Sequence, residues 1–279
     1  MFTQHKINGV AVESFDSFFD FVNYCKSNPN PLSSETSSKN WCGGTDNLQD
    51  AISLALNGWH DIRPQVDAVF TDVEQRISDV LEMRFQTMHN YTGFSVDMGR
   101  YLQGDPECML DYVPEEQQGM GRVVKVVVNI AASCTIDPDD IMRRGVAVVA
   151  LIDTLHKLGV GVEIWADESL TGKAGGKFAN RVKMHDSAQM VDIDSLMFGL
   201  AHPSMLRRLV FSMQEQSKNA NAQGAKAGGG YGIPASFHMN AGLDADVIVD
   251  KLQDGHGDLV RDPVGWVLST VRGLGLIEE

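Results

Sequence analysis

Arg122 to Ser133 reads RVVKVVVNIAAS, a nearly unbroken run of β-branched residues. A strand with one face in water alternates apolar and polar residues. A continuous apolar run is the pattern of a strand buried on both faces of a parallel sheet. The next segment, DPDDIMRRGVAVVALIDTLHKLG, opens on Asp-Pro, carries acids in its first turn and ends at Gly159. These are the start and stop signals of a helix. VGVEIWA then reads as a second strand. Strand, helix and strand at this spacing make a βαβ unit with a right-handed crossover.

The rest of the chain is arranged around that unit. Residues 1–120 read as a mostly helical N-terminal region packed on the core. SFDSFFDFVNYCK places Phe15, Phe18, Phe19 and Val22 at helical spacing. After a polar loop, Thr45 or Asp46 is positioned to cap a helix using Leu48, Ile52 and Leu56, which Gly58 stops. A longer helix begins at Pro64, with an apolar stripe of Val66, Val69, Phe70, Val73, Ile77, Val80 and Leu81. That stripe exceeds what a small subdomain must bury, so a homo-oligomer is expected. Residues 121–279 read as the α/β core. Helices are expected over Asp192–Leu200 and Pro203–Gln216, a buried strand in DADVIVDKL and a closing helix in DPVGWVLSTVRGLG. The fold class is therefore α/β: a mainly parallel sheet flanked by helices, with von Willebrand A-like or Rossmann-like layering.

Composition narrows the function classes. The 279 residues carry 37 Asp+Glu against 23 Lys+Arg, a net charge of −14. Bulk charge of this sign argues against coating nucleic acid. Its distribution is uneven: residues 1–120 carry −11, whereas residues 169–232 carry +4. No apolar run is long enough for a membrane span and the N-terminus lacks a signal-peptide core, so an intracellular protein without membrane contact is expected. Cys25, Cys42, Cys108 and Cys134 form no C-x-x-C pair, which points to reduced thiols and not to zinc.

Catalytic constellations are absent from the sequence. There is no H-E-x-x-H or G-x-S-x-G, and the histidines are scattered singly, so no enzyme is expected and no cofactor is assigned. TGKAGGK fails as a phosphate loop, because its spacing is one residue short and Phe178 stands where a hydroxyl belongs. The turn NIAAS, Asn129 to Ser133, resembles in position the D-x-S-x-S metal site of von Willebrand factor A-like domains, a resemblance of fold covering residues 122–274. Asn129 replaces the carboxylate and Ala131 the first hydroxyl. A hard divalent cation wants charged oxygens, so no metal is expected, and Ser133 is read as a helix cap.

Two basic stretches remain, at 170–184 and 217–232. LTGKAGGKFANRVKM gathers Lys173, Lys177, Arg181 and Lys183 with Phe178 and no acid. On a strand, Lys177, Arg181 and Lys183 share one face, matched to the repeat of an extended phosphate backbone, and Phe178 falls on the other. The second stretch supplies Lys218, Lys226 and Tyr231, and Arg207 and Arg208 lie on the helix between. Cations with aromatics are what single-stranded nucleic acid requires. A solvated surface, a metal-free interaction scaffold and a nucleotide enzyme are the alternatives.

Three further segments, WCGGTDNLQDAISLALNGW, GRYLQGDPECM and RRGVAVVALIDTLHKLGVGVEIW, give the chain a resemblance as a whole. It resembles the single-stranded-DNA-binding RNA polymerase cofactors (Drc type) of short-tailed bacteriophages that carry a virion RNA polymerase. The resemblance implies a non-enzymatic protein that binds single-stranded DNA at melted promoters and recruits a phage RNA polymerase. It also implies a fold other than the OB barrel, and the cytoplasm of the infected bacterial host. It transfers no DNA-contact motif.

Overall fold

The computed structural model describes residues 1–28, 36–82, 85–114, 121–226, 230–239, 241–252 and 257–277. The βαβ unit is present as β6 (Val123–Asn129), α5 (Pro138–Lys157) and β7 (Gly161–Thr171), with β6 and β7 parallel. Asp137 caps α5 through its side chain and Pro138 occupies the first turn. β8 (Lys177–His185) returns antiparallel to β7, and β10 (Val247–Val249) lies parallel on the other side of β6.

The N-terminus departs from the helical expectation. β1 (Phe2–Ile7) and β2 (Val10–Phe15) form a hairpin, with Asn8 and Gly9 both at positive φ in its turn. β2 pairs in parallel with β8. The sheet order is β1-β2-β8-β7-β6-β10, with the short β9 (Ile233–Pro234) pairing β7. The sheet is therefore mixed: parallel at β7-β6-β10 and at β2-β8, antiparallel elsewhere. The first strands belong to the same sheet as residues 121–279, so the boundary at 120 does not separate a helical region from the sheet.

Helices cover one face. α1 (Phe18–Ser27), capped by Ser17, buries Phe18, Phe21, Val22 and Cys25 and leaves Phe19 exposed. α2 (Leu48–Asn57) is capped by Asn47, one residue beyond the expected cap, because its side-chain oxygen reaches the Asp50 amide. α3 (Arg63–Glu82) and α10 (Pro263–Gly273) pack on α5. Val66, Val73 and Ile77 of α3 are buried in this core, and Phe70 lies under the Lys157 ammonium at 4.9 Å. Most of the apolar stripe is thus used within the chain; the Val80 and Leu81 side chains lie outside the described residues. α6 (Ile193–Ala201) leads to a π-helical segment (Met205–Val210), α7 (Phe211–Gln216) and α8 (Lys218–Ala222). Gly145 of α5 meets Ala201 of α6 so closely that a Cβ would overlap its backbone.

The other sheet face is covered by irregular chain. Ala241 packs with Val10, Val12 and Ala179, and Phe237 and Leu243 pack on Val127 and Trp165. A separate three-stranded sheet, β3 (Phe85–Asn90), β4 (Ser95–Val96) and β5 (Met109–Pro114), includes the short α4 (Met98–Leu102) and follows α3. α9 (Asp258–Arg261) precedes the closing helix. No helix among the described residues is long and apolar enough to cross a membrane.

Candidate functional site

The chain starts its α/β core at β6, steps outward to β7 and β8, and returns on the far side at β10. Such a reversal leaves a crevice at the carboxyl ends of the central strands, where open α/β sheets hold ligands. Two rows of polar residues cross the sheet at that level.

The first row lies on the face covered by irregular chain. Register pairs Asn129 with Asp167, Asp167 with Arg181, Arg181 with Ser14, and Ser14 with Thr3. Asp250 follows Val249, the partner of Val128, and completes the row beside Asn129. Asn129 is fully buried, and its amide nitrogen donates to the Ala235 carbonyl at 2.9 Å and to Asp250 Oδ1 at 3.1 Å. Its amide oxygen accepts from the Ala131 N–H. Burial opposes ionisation of Asp250, yet donors from Lys251, Ser236, Phe237 and Asn129 outweigh it and hold the carboxyl below its ordinary range. Arg181 Nε donates to Asp167 Oδ1 at 2.9 Å, Nη1 to the Ala241 carbonyl at 2.6 Å and Nη2 to the His238 carbonyl at 3.3 Å. Burial raises the Asp167 carboxyl, opposed by Arg181 and by the Ser169 hydroxyl. The row therefore ties the segment around Phe237 and Ala241 to the sheet.

The second row lies on the helix-covered face: Glu168, Asn180, Glu13 and Gln4 are cross-strand neighbours. Glu13 Oε1 accepts from Ser217, Asn219 and Gln4, but its Oε2 has no hydrogen-bond partner. Both carboxyl oxygens of Glu168 and both amide atoms of Asn180 are likewise buried without partners. Burial pushes the Glu168 carboxyl well above its usual range, and the adjacent Asp167 adds to the shift. A buried carboxyl without donors is held neutral.

The metal centre suggested by position does not fit these residues. At Asn129 a donor amide faces Asp250, and Ala131 offers no side-chain oxygen. Ser133 does not cap α5, a role taken by Asp137; its Oγ accepts from Thr135 instead. Among the described residues no three His, Cys, Asp or Glu side chains are placed to hold a metal ion.

Lys177, Arg181 and Lys183 do share one face of β8, opposite Phe178, but they make no continuous exposed row. Arg181 is 3% exposed and neutralised by Asp167, and Phe178 is core, packed with Ala11, Leu170 and Ala220. Arg207 is 1% exposed; it donates to the Trp41 and Ile136 carbonyls and stacks over the Trp41 ring at 4.4 Å. Arg208 is fully buried and holds the carbonyls of Ser37, Thr45 and Asp46. These arginines fasten the chain before α2 to the π-helical segment, so they offer no donors to a surface ligand. Lys183 pairs with Asp186 at 3.1 Å beside an open groove of about 400 Å³ formed with Phe19, Leu56 and Met190. Lys226 lies 4.1 Å over the Tyr231 ring and 3.8 Å from Glu215, and Tyr231 stacks on Phe211. Lys173, Lys177 and Lys218 are exposed. The hairpin turn and the second basic stretch do meet: the Lys173 N–H donates to the Gly224 carbonyl at 3.3 Å, and Gly172 lies against Gln223 with no room for a Cβ.

Sequence reasoning missed Glu13, Asp167, Glu168 and Asp250. The signal was the consecutive acids in ADES, which reads as the end of a strand but lies inside β7.

The Domain of unknown function (DUF7192) family model matches residues 3–278. The chain belongs to that family. No curated protein matches it. No solved structure matches it either. The match spans both polar rows and the small three-stranded sheet, so the family model embraces the hairpin at the N-terminus as well as the α/β core.

Proposed function

We propose that this chain is a protein-interaction scaffold with von Willebrand A-like layering, whose switch-point crevice is closed by its own side chains instead of a metal ion. The observation that carries this reading is Asn129. Its amide joins the carboxyl end of β6 to Asp250, just past the neighbouring β10, and to the Ala235 carbonyl beyond β9. Where a hard cation would need oxygens, a buried donor already satisfies them. The strand sequence β8-β7-β6-β10, with β8 antiparallel, supports the layering. The net charge of −14 suits partners with basic surfaces.

Thermal unfolding with and without Mg2+, Mn2+ and nucleotides tests the closed crevice. The wild-type midpoint is expected to stay fixed, because a ligand that does not bind the native state adds no stability. A rise of several degrees in millimolar Mg2+ or nucleotide would overturn the reading.

One observation favours a second reading, a single-stranded-DNA-binding protein that recruits a phage RNA polymerase. The two basic stretches meet, and Lys173, Lys177 and Lys218 stay exposed there. Fluorescence anisotropy with a 30-nucleotide strand at two salt concentrations tests it. Salt-sensitive binding that Lys173→Glu/Lys177→Glu/Lys218→Glu weakens severalfold would support it, and no binding at low salt would remove it.

A further inference from the structure

The small sheet of β3, β4 and β5 shows no buried core among its described side chains. Among residues 87–111 no side chain is buried. Seven of the fifteen exposed large apolar side chains of the described residues fall between 88 and 102, among them Met88, Tyr91, Val96, Met98, Tyr101 and Leu102. Tyr91 is 65% exposed and Leu102 78%. Register sets Met88, Val96 and the half-buried Met109 on one face. Scattered single exposures need no explanation, but this density in so short a stretch marks an interaction surface.

The unit is nevertheless well formed. Asp97 caps α4 by accepting from the Gly99 and Arg100 amides, and its other oxygen lies 3.1 Å from His89 Nε2. Phe94 and Asp97 donate backbone bonds to the Leu110 and Cys108 carbonyls. Gly93 approaches the Leu110 backbone too closely for any Cβ. Polar and backbone bonds hold the shape, while the apolar side chains of Met88, Tyr91, Val96, Met98, Tyr101 and Leu102 point to solvent. Three strands of this size ordinarily need an apolar face packed on something.

We propose that this small sheet is the docking surface for a basic partner protein that inserts apolar anchors between its exposed aromatic and methionine side chains. The proposal deepens the scaffold reading and rests on it for the class of partner. Charge selects the occupant. Residues 88–111 contain Asp97, Asp105, Glu107 and Asp111 against Arg100, and Arg100 is held by Asp105 at 3.4 Å. A second copy would bring like charge against like, and a nucleic acid would meet the same repulsion. A basic surface meets complementary charge at the rim and apolar contact at the centre, which is the usual anatomy of a protein interface.

The test is selection from a random 12-residue phage-displayed peptide library on the full chain, followed by anisotropy with the selected peptides after synthesis. Enriched peptides are expected to carry net positive charge with two or more large apolar residues. Tyr91→Ser/Tyr101→Ser/Leu102→Ser is expected to weaken them at least tenfold with an unchanged unfolding midpoint. Phe19→Ser/Met190→Ser, in the groove beside Lys183, is expected to leave them unaffected. Enrichment of acidic peptides would overturn the proposal. Basic peptides that bind the triple variant normally would overturn the surface while leaving the scaffold reading intact. Failure to enrich any peptide would count against both. A dimer in sedimentation equilibrium, or oligothymidylate binding, that the triple variant abolishes would replace the basic partner with a second copy or a nucleic acid.

Discussion

Arg181→Met separates a structural role for this arginine from a ligand-binding one. Arg181 and Asp167 are both essentially excluded from water. Methionine removes the donor to Asp167 and strands the Ala241 and His238 carbonyls, leaving Asp167 with the Ser169 hydroxyl alone. Breaking a buried pair on one side costs about 3–5 kcal/mol, because a charge is left without compensation. At about 2–4 °C per kcal/mol for a chain approaching this size, the midpoint should fall by roughly 6–20 °C. Asp167→Asn combined with Arg181→Met removes both charges and should recover part of the loss, with a coupling of about 1–3 kcal/mol. Urea unfolding at constant slope measures each corner of the cycle. Hydrogen exchange around Ala241 should quicken in Arg181→Met, since that segment loses its anchor. A single variant within about 0.5 kcal/mol of wild type, the level of an ordinary surface substitution, would refute the argument.

Other outcomes follow from the same contacts. Glu168→Gln should stabilise the protein increasingly as pH rises. The folded carboxyl is raised above its unfolded value, so its stabilising contribution is complete below the unfolded pKa and is lost as pH climbs through the folded one; urea midpoints at pH 5 and pH 8 measure this. His202 is buried and held down to about 4 from 6.5 by desolvation, so its contribution is full above 6.5 and fades as pH falls toward about 4, by on the order of 3 kcal/mol. His202→Phe should flatten that acid limb in unfolding measured from pH 7 to 4. Gly145→Ala should lower stability by about 1–3 kcal/mol through overpacking on α6. Ala201→Gly should rescue it only in part, because the overlap includes the Ala201 backbone. Asn129→Asp/Ala131→Ser should destabilise the chain in chelator and gain a Mg2+-dependent midpoint that wild type lacks.

The legible parts of the fold were those with local causes. Val123 to Val128 declared a central strand, which is buried on both faces only toward its carboxyl end because Val123 is exposed; Asp137-Pro138 and Gly159 bounded α5, and Asp262-Pro263 opened the last helix. The Asn8-Gly9 turn was equally legible as a hairpin signal, because both residues tolerate positive φ. The neighbouring phenylalanines, read at helical spacing, concealed it. Cation counts in the sequence were correct, but their meaning was not local. Arg207 and Arg208 look like any exposed pair on a helix until the chain before α2 folds over them.

The βαβ core, the gathering of cations in two stretches and the lack of a metal-binding carboxylate at Asn129 can all be read along the chain. These follow from residue type and near-neighbour spacing. Which charges meet water depends on how the strands pair. Pairing β7 with β8 puts Asp167 opposite Arg181, and pairing β2 with β8 puts Glu13 opposite Asn180. Desolvation and Coulomb energy depend on distance through space. Residues as far apart in the chain as Glu13 and Asn180 acquire their chemical character only when the sheet brings them side by side.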